Sequence, residues 1–93
     1  MRTIDRSAAF KRDYKREAKG KYRTTLDTLI RSVLLALATD QALDAHFRDH
    51  DLSGNWAGYR ECHIKPDLLL IYRKPDADTL RLARLGSHSE LFG

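Results

Sequence analysis

The chain has 93 residues and a mass of 10.7 kDa, the size of one small domain. Hydrophobic residues make up 42% of it and charged residues 32%, which excludes a disordered, collagen-like or membrane-spanning protein. The longest apolar run, Val33 to Ala38, is far shorter than the roughly 20 residues of a spanning helix, so we expect no membrane partner. The N-terminus lacks the apolar stretch of a secretory signal. The single cysteine, Cys62, excludes an internal disulfide and a cysteine-based zinc site, and it favours the reducing cytoplasm.

Positive charge is concentrated in the first quarter of the chain. The net charge is +4, but residues 1–23 hold nine basic and three acidic side chains, a local net charge of +6, against −2 in the remaining 70 residues. Such asymmetry is typical of a basic surface that binds phosphates. Charge alone leaves an equal alternative, in which these side chains form an ordinary solvated helix face.

The first two predicted elements are a short strand and a basic helix. Arg2 to Arg6 contains one large apolar residue and is a candidate edge strand. Ser7 is a suitable N-cap for a helix that begins at Ala8, because its hydroxyl can accept a backbone N–H. Gly20 is the kind of residue that ends a helix. The apolar stripe of this helix recurs at i, i+4 and i+8, with Phe10, Tyr14 and Ala18.

The second helix has the clearest pattern in the sequence. From Leu26 to Leu37, apolar residues recur at i, i+3, i+4, i+7, i+8 and i+11, which predicts an amphipathic helix from about Tyr22 to Ala38. The two helices should form a hairpin near Gly20. The polar segment Asp40 to Gly58 is predicted to be mainly loop, with one helical turn near Leu43 to Phe47.

After this segment the apolar pattern changes to a period of two, which predicts β-strands. The predicted strands are Tyr59–Ile64, Leu68–Tyr72 and Thr79–Leu85. On the first strand, Cys62 faces one way while Glu61 and His63 face the other. The segment His88 to Gly93 is predicted to be a short tail.

These elements define an α+β fold of two layers. The short connections between the last three strands require antiparallel pairing. The sequence therefore predicts a single domain over residues 1–93, in which an N-terminal strand and a helical hairpin pack on an antiparallel sheet. The opposite sheet face is left open to hold a site.

Histidines mark the candidate site, because three of the four lie at junctions between predicted elements. His50 precedes the loop, His63 ends a strand and His88 follows the last strand. Asp67 is close to His63 by connectivity. Histidine exchanges protons near pH 7, and two histidines with a carboxylate and an arginine suit metal-free RNA cleavage. Arg81 and Arg84 are predicted to lie on alternate faces of the third strand, so only one of them serves this surface.

Several of these residues also have plain alternatives. A lone histidine is more often structural, and His46, His50 and His63 can instead be read as zinc ligands of a hydrolase. Cys62 is interpreted as a small buried hydrophobe and not as a nucleophile. Trp56 is interpreted as a core or loop anchor. Phe92 should fray near the chain end unless something holds it, in which case it can stack on a nucleobase.

Two segments resemble a known family. Within Asp49 to Tyr72 lie the patterns DH-x-L-x-G and GYR-x-x-H-x-x-PD, and Arg84 to Gly93 contains G-S-H-x-x-LFG. These patterns are similar to those of YafQ-type toxins in the RelE/ParE superfamily. The first 40 residues match that family only in layout. Lys65 and Ser87 depart from the residues common in relatives.

The resemblance implies a toxin of a bacterial type II toxin–antitoxin system. Such toxins are cytoplasmic, pair with a cognate antitoxin, and cleave mRNA in the A site of the 70S ribosome without a metal or other cofactor. The antitoxin is expected to cover part of the sheet or the helical hairpin. The functional positions of the family fall here on His50, His63, Asp67, Arg84, His88 and Phe92.

Roles for these residues are hypotheses. His88 would be the general acid, and Asp67 with His63 or His50 would take the ribose 2′-OH proton. Arg84 would stabilise charge on the phosphate, and Phe92 would stack on or brace a base.

The basic N-terminal segment is expected to bind ribosomal RNA. The residues assigned to this role are Lys11, Arg12, Lys15, Arg16 and Lys19. The alternatives are a ParE-like toxin that inhibits DNA gyrase without cutting RNA, and an RNA-binding module without activity.

Overall fold

A computed structural model describes all residues from Met1 to Gly93. The strands are β1 (Thr3–Arg6), β2 (His50–Asp51), β3 (Arg60–Lys65), β4 (Leu68–Arg73) and β5 (Thr79–Gly86). The helices are α1 (Ala8–Glu17), α2 (Leu26–Ala38) and α3 (His88–Phe92), with single 3-10 turns at Ala45–Phe47 and Gly54–Trp56. No helix combines the length and the apolar character needed to cross a bilayer.

The five strands form one mixed sheet in the order β1-β5-β4-β3-β2. Strands β3 to β5 pair antiparallel, as the short connections predicted, and the α+β class is confirmed. Strand β2, in a segment predicted to be mainly loop, also pairs antiparallel with β3. The expectation of a wholly antiparallel sheet is wrong at β1, which runs parallel to β5. More than 70 residues separate these two strands, so no tight turn dictates their relative direction.

Both long helices pack on the same sheet face and build the main core. Phe10 of α1 joins Leu26, Ile30, Val33 and Leu37 of α2 over strand residues that include Cys62, Leu70 and Leu82. The Ser7 cap is confirmed, because its hydroxyl accepts the Phe10 N–H at 2.9 Å. Both helices are shorter than predicted, since residues 18–25 form turns. This polar link offers the core only Tyr22.

A bulge in β5 changes which way its side chains point. Ile71 pairs with Arg84 while Tyr72 pairs with Leu82, so Ala83 is an extra residue. Leu82 and Leu85 therefore both enter the main core. Paired residues share a face, and this register places Arg81 and Arg84 on the same side of the sheet. The prediction that they alternate is wrong because strict alternation assumes an unbroken strand.

Helix α1 covers the edge of β5 beyond the end of β1. Strand β1 pairs only with residues 79–82 of β5, which leaves the last part of its edge unpaired. There the Ser7 hydroxyl donates to the Ala83 carbonyl at 2.8 Å, and the Asp13 carboxylate accepts the Leu85 N–H at 3.0 Å. Side chains of α1 thus satisfy backbone groups that a further strand would otherwise pair.

Asp13 is a buried charge with a full set of donors. Besides the Leu85 N–H, its oxygens accept from Arg84 Nε at 2.7 Å, Arg84 Nη2 at 3.2 Å and Arg16 Nη1 at 3.0 Å. Burial by itself would raise the pKa of Asp13, but the bonds from Arg84 and Leu85 outweigh it, and the pKa lies below its usual value.

The second sheet face carries a smaller core that is capped by the end of the chain. Leu69, Ile71 and Ala83 pack against Leu91 of α3. The predicted short tail is wrong, because Ser87 and Glu90 form a capping box and the last residues become a helix. The anchor is local, since Leu91 is buried and the helix has only five residues.

Replacing Asp13 by Asn should lower the free energy of unfolding by about 3 kcal/mol at pH 7, because it leaves Arg84 without its counter-charge. A carboxylate with a lowered folded-state pKa stabilises the fold above its unfolded pKa of about 3.9, and this contribution is lost as pH falls through the folded value. Asp13→Asn should therefore flatten the decline in stability below pH 5.

Urea unfolding from pH 7 to pH 3 measures both effects. Asp78→Asn is the control, because Asp78 is exposed and its carboxylate forms no ion pair. Equal losses in the two variants would contradict a specific role for Asp13.

Candidate active site

The site begins with a direct cross-strand pair. His50 of β2 is opposite Glu61 of β3 in the antiparallel register, and His63 follows Glu61 by two residues on the same face. Glu61 Oε1 lies 3.2 Å from His63 Nε2 and 3.7 Å from His50 Nε2. The Glu61 side chain is only 6% exposed, so a single buried carboxylate lies next to both imidazoles.

The residues beside His50 hold the short strand β2 in place. Asp49 accepts from the Tyr72 hydroxyl at 2.6 Å and from Arg60 Nη2 at 3.1 Å. Burial and this bond to Asp49 raise the pKa of Tyr72, which remains a hydroxyl donor. Two residues of sheet pairing are too few to fix a strand by themselves, so this network determines where His50 sits.

The backbone also orients the His50 ring. Its Nδ1 lies 2.6 Å from the Arg48 carbonyl oxygen, which can only accept. Nδ1 must therefore donate, and in the neutral ring Nε2 is the nitrogen that can take a proton. That nitrogen is the one that faces Glu61.

Helix α3 forms the opposite wall of a cleft of about 540 Å³ over this face. The residues that line it include His50, Glu61, Trp56, His88, Leu91 and Phe92. His88 and Phe92 are one helical turn apart, with ring centroids 5.0 Å from each other. Phe92 is 37% exposed and is the last residue of this capped helix, which supplies the support that the sequence left open. Trp56 packs edge-on against Tyr59 at 5.1 Å, as expected for a loop anchor.

The structure brings most of the predicted site residues together. His50, His88 and Phe92 line the cleft, and His63 is connected to it through Glu61 while also lining an adjoining cavity of about 420 Å³. The ring centroids of His50 and His63 are 6.3 Å apart.

Asp67 lies apart from the histidines. It is in the turn between β3 and β4, where its carboxylate accepts from the Tyr22 hydroxyl and from Lys21 Nζ. These two hydrogen bonds, with the one from Tyr22 the stronger cause, lower the pKa of Asp67. The carboxylate is turned toward the helical hairpin, and no contact joins it to His63.

Arg84 is engaged with Asp13 and does not line the cleft. Its Nε and Nη2 both donate to the Asp13 carboxylate, and this hydrogen bond raises the pKa of Arg84. The guanidinium is therefore already paired with a carboxylate, which limits what it can offer to a phosphate in this state.

The three histidines of the zinc alternative, His46, His50 and His63, do not form a cluster that could hold a metal ion. His46 stacks on Phe47 at 4.1 Å and pairs with Asp44 at 3.1 Å. No three His, Cys, Asp or Glu side chains come together as a candidate metal cluster. Cys62 is fully buried, and its burial raises the pKa of the thiol to about 12. This confirms the reading of Cys62 as a small hydrophobe.

Glu61 is the site residue that the sequence reasoning missed. The alternation pattern places Glu61 on the same strand face as His63, which is the available signal. Its burial is not evident from the pattern, because the partner strand β2 has only two residues and falls within a segment predicted to be loop.

The five predicted phosphate-binding residues lie on α1 and the turn after it, and all are exposed. They divide into two kinds. Lys11, Arg12, Lys15 and Lys19 form no side-chain ion pair, whereas Arg16 contacts three acidic side chains. Only the first four are unengaged cations.

The largest cavity lies elsewhere, against β1 and the two long helices. It is a groove of about 640 Å³ with an apolar floor that includes Ile4, Tyr14 and Leu34. Its rim holds four basic residues and one acid: Arg6, Lys11, Lys15, Arg31 and Asp27. The groove contains none of the site histidines, and its apolar floor is suited to binding an apolar segment.

A helical pair on one sheet face and a histidine-lined cleft on the other define the small α+β toxin class that the sequence patterns indicated. Residues 2–93 match the family described as "Bacterial toxin of type II toxin-antitoxin system, YafQ". The mRNA interferase toxin YafQ of Escherichia coli strain K12 is 36% identical over 93 residues, covering 100% of this chain and 98% of that protein. The chain belongs to the YafQ toxin family.

Solved structures agree with this assignment. A copper-bound mutant toxin from Helicobacter pylori superposes with a TM-score of 0.86 at 40% identity, covering 99% of this chain and all of that one. The toxin in the Escherichia coli DinJ–YafQ complex superposes with a TM-score of 0.83 at 34% identity, and each chain is fully covered. The similarity extends over the whole domain.

Proposed function

We propose that this protein is an endoribonuclease toxin of a type II toxin–antitoxin system, which cleaves mRNA on the ribosome and so inhibits translation. The observation that carries the proposal is the cleft itself. It presents His50, backed by Glu61 and His63, on one wall and His88 on the other. Two separated proton-transfer groups are what cleavage through the ribose 2′-OH requires. The family membership and the name of the Escherichia coli relative support the same activity.

In the proposed reaction, the imidazole of His50 or His63 takes the proton of the 2′-OH. The 2′-oxygen attacks the adjacent phosphorus, and the bond from phosphorus to the 5′-oxygen breaks. His88 gives its proton to that departing oxygen, which leaves a 2′,3′-cyclic phosphate and a 5′-OH. Glu61 stabilises the imidazolium that forms on the base, because the buried carboxylate lies 3.2 Å from His63.

Phe92 contributes an exposed aromatic face beside His88, suited to stacking on an unpaired base. Asp67 and Arg84 remain predictions for substrate positioning and charge stabilisation. Each would first have to exchange a protein partner for RNA: Lys21 and Tyr22 for Asp67, and Asp13 for Arg84.

The partners that follow are the 70S ribosome with its mRNA, ribosomal RNA and a cognate antitoxin, all in the cytoplasm. The unengaged cations of α1 are exposed and suited to phosphates. The antitoxin would lie in the groove over the helical hairpin. The apolar floor and basic rim of this groove fit an amphipathic segment with acidic flanks. Support for an antitoxin comes from the DinJ–YafQ complex of a relative.

Replacing His88 by Ala should slow cleavage about 10²- to 10⁴-fold by removing the acid. Glu61→Gln keeps the shape of the side chain but removes its charge, and should slow cleavage about 10- to 100-fold. The measurement is primer extension on an mRNA translated in a purified system that contains a chelator of transition metals. His46→Ala is the histidine control: His46 does not line the cleft and has no assigned role, although it shares the adjoining cavity with His63.

Full activity of His88→Ala would contradict its role as the acid. A wild type that loses activity in the chelator and regains it with added zinc or copper would contradict the metal-free reaction. Intact translation together with failed DNA supercoiling would favour the gyrase-inhibitor alternative.

Replacing two of the unengaged cations, Arg12 and Lys19, by Gln should weaken ribosome binding and reduce the log–log salt slope by about one for each phosphate that is no longer neutralised. The measurement is the affinity for empty 70S ribosomes over a range of KCl concentrations. Arg23→Gln is the matched control, since Arg23 is also exposed but lies outside the set assigned to RNA. An unchanged salt slope in the double variant would mean that these residues form an ordinary solvated helix face and do not bind RNA.

Replacing Leu35 by Glu should weaken antitoxin binding at least about tenfold, because this exposed leucine is part of the groove. The affinity is measured by calorimetry with the antitoxin encoded beside the toxin. Ser32→Glu adds the same charge to an exposed position of α2 outside the groove. Equal affinities of the two variants would place the antitoxin elsewhere.

A further inference from the structure

Arg16 differs from every other basic residue of α1 in the number of its partners. Its guanidinium lies 3.0 Å from Asp13, 2.9 Å from Glu17 and 3.0 Å from Glu90, and it donates to the Leu85 carbonyl at 2.8 Å. These contacts extend from helix α1 across the end of β5 to helix α3. All three guanidinium nitrogens of Arg16 already have a partner, which limits what this side chain can offer to a phosphate.

Glu90 receives this contact while it caps its own helix. Glu90 Oε1 accepts the Ser87 N–H at 2.8 Å, and the Ser87 hydroxyl accepts the Glu90 N–H at 3.2 Å. The second oxygen, Oε2, is the one that faces Arg16 Nε. The same carboxylate therefore caps the N-terminus of α3 and links this helix to α1.

Apart from its contact with Arg16, helix α3 is held by Leu91, which packs on the second core, and by the capping box of Ser87 and Glu90. The helix has five residues, and only Leu91 is buried. An isolated helix of this length is unstable in water. Its two functional side chains, His88 and Phe92, are exposed and take their positions from the helix as a whole.

Gly86, which has no side chain, leaves space at the end of β5 for the Arg16 guanidinium to reach Glu90. A Cβ at this position would lie 2.6 Å from Arg16 Nη2 and 3.1 Å from Glu90 Oε1. The clash falls on the mobile end of a side chain, so an alanine here would displace the guanidinium and leave the strand in place. Gly86→Ala thus breaks the tie without removing a charge.

We propose that Arg16 is a positioning residue of the nuclease: anchored by Asp13, it holds Glu90 and thereby fixes α3, so that His88 and Phe92 face the cleft. This inference deepens the proposed function and replaces the expected contact of Arg16 with ribosomal RNA. Asp13 is the fixed point, since it is buried and bonded to β5.

The experiment compares Arg16→Met, Glu90→Gln and Gly86→Ala with Arg12→Met, which removes an exposed arginine of the same helix that has no ion pair. Cleavage of ribosome-bound mRNA is measured for kcat and KM, and ribosome binding for its salt slope. Each of the three variants should lower kcat about 10- to 100-fold with the salt slope unchanged, because His88 is misplaced and no phosphate contact is lost. Arg12→Met should instead raise KM and reduce the salt slope, because it removes a proposed phosphate contact and leaves the position of α3 unchanged.

Two further comparisons make the test specific. Arg16→Met combined with Glu90→Gln should cost no more than Arg16→Met alone, since both changes remove the same contact between Arg16 and Glu90. Arg16→Lys should restore part of kcat. A higher KM and a smaller salt slope for Arg16→Met, with kcat unchanged, would instead identify Arg16 as a phosphate contact and overturn the proposal.

Hydrogen exchange of the α3 backbone amides tests the tie without any cleavage assay. Exchange at residues 90–93 should be faster in Arg16→Met and Gly86→Ala than in the wild type and Arg12→Met. Unchanged exchange would overturn the proposal even in an active enzyme. A wild type that cleaves no RNA would overturn the proposed function, while the exchange result would still decide whether Arg16 holds α3.

Discussion

The carboxylate of Asp13 is the buried charge around which the two ends of this molecule are joined. It satisfies the Leu85 N–H at the open edge of β5, pairs with Arg84, and anchors Arg16. Without it, helix α1 would cover a strand edge that has an unpaired donor, and Arg84 would lose its counter-charge. The same helix that closes the core therefore also determines where the C-terminal helix can sit.

The cleft depends on a second constraint, which is the register between β2 and β3. A shift of one residue would turn Glu61 and His63 into the helical layer and bring Cys62 to the open face. The network of Asp49 with Tyr72 and Arg60 fixes this register from the opposite side. The histidines of the candidate site are thus placed by buried interactions outside the cleft, which is how a preorganised site is built.

The amphipathic pattern of α2, the Ser7 cap and the three antiparallel strands could be predicted because each depends on neighbouring residues. The predictions failed where the structure of a segment depends on residues far away in the sequence. The direction of β1 depends on a partner more than 70 positions away. Strand β2 exists only because β3 offers it an edge, and the bulge at Ala83 is seen only in the pairing with β4. The capping box of Ser87 and Glu90 is a local pattern that the sequence does contain, so the helical end of the chain was predictable and the predicted tail missed it.

The sequence by itself determined the α+β class, the family, the basic first helix and the histidines of the site, since periodicity, charge and motif spacing are properties of the chain alone. Only the tertiary structure decided that Glu61 lies between His50 and His63, that Asp67 faces the helical hairpin, and that Arg16 is engaged while its neighbours are not. The physical reason is that a contact between side chains depends on strand register, burial and competing partners. None of these is fixed until the elements pack together.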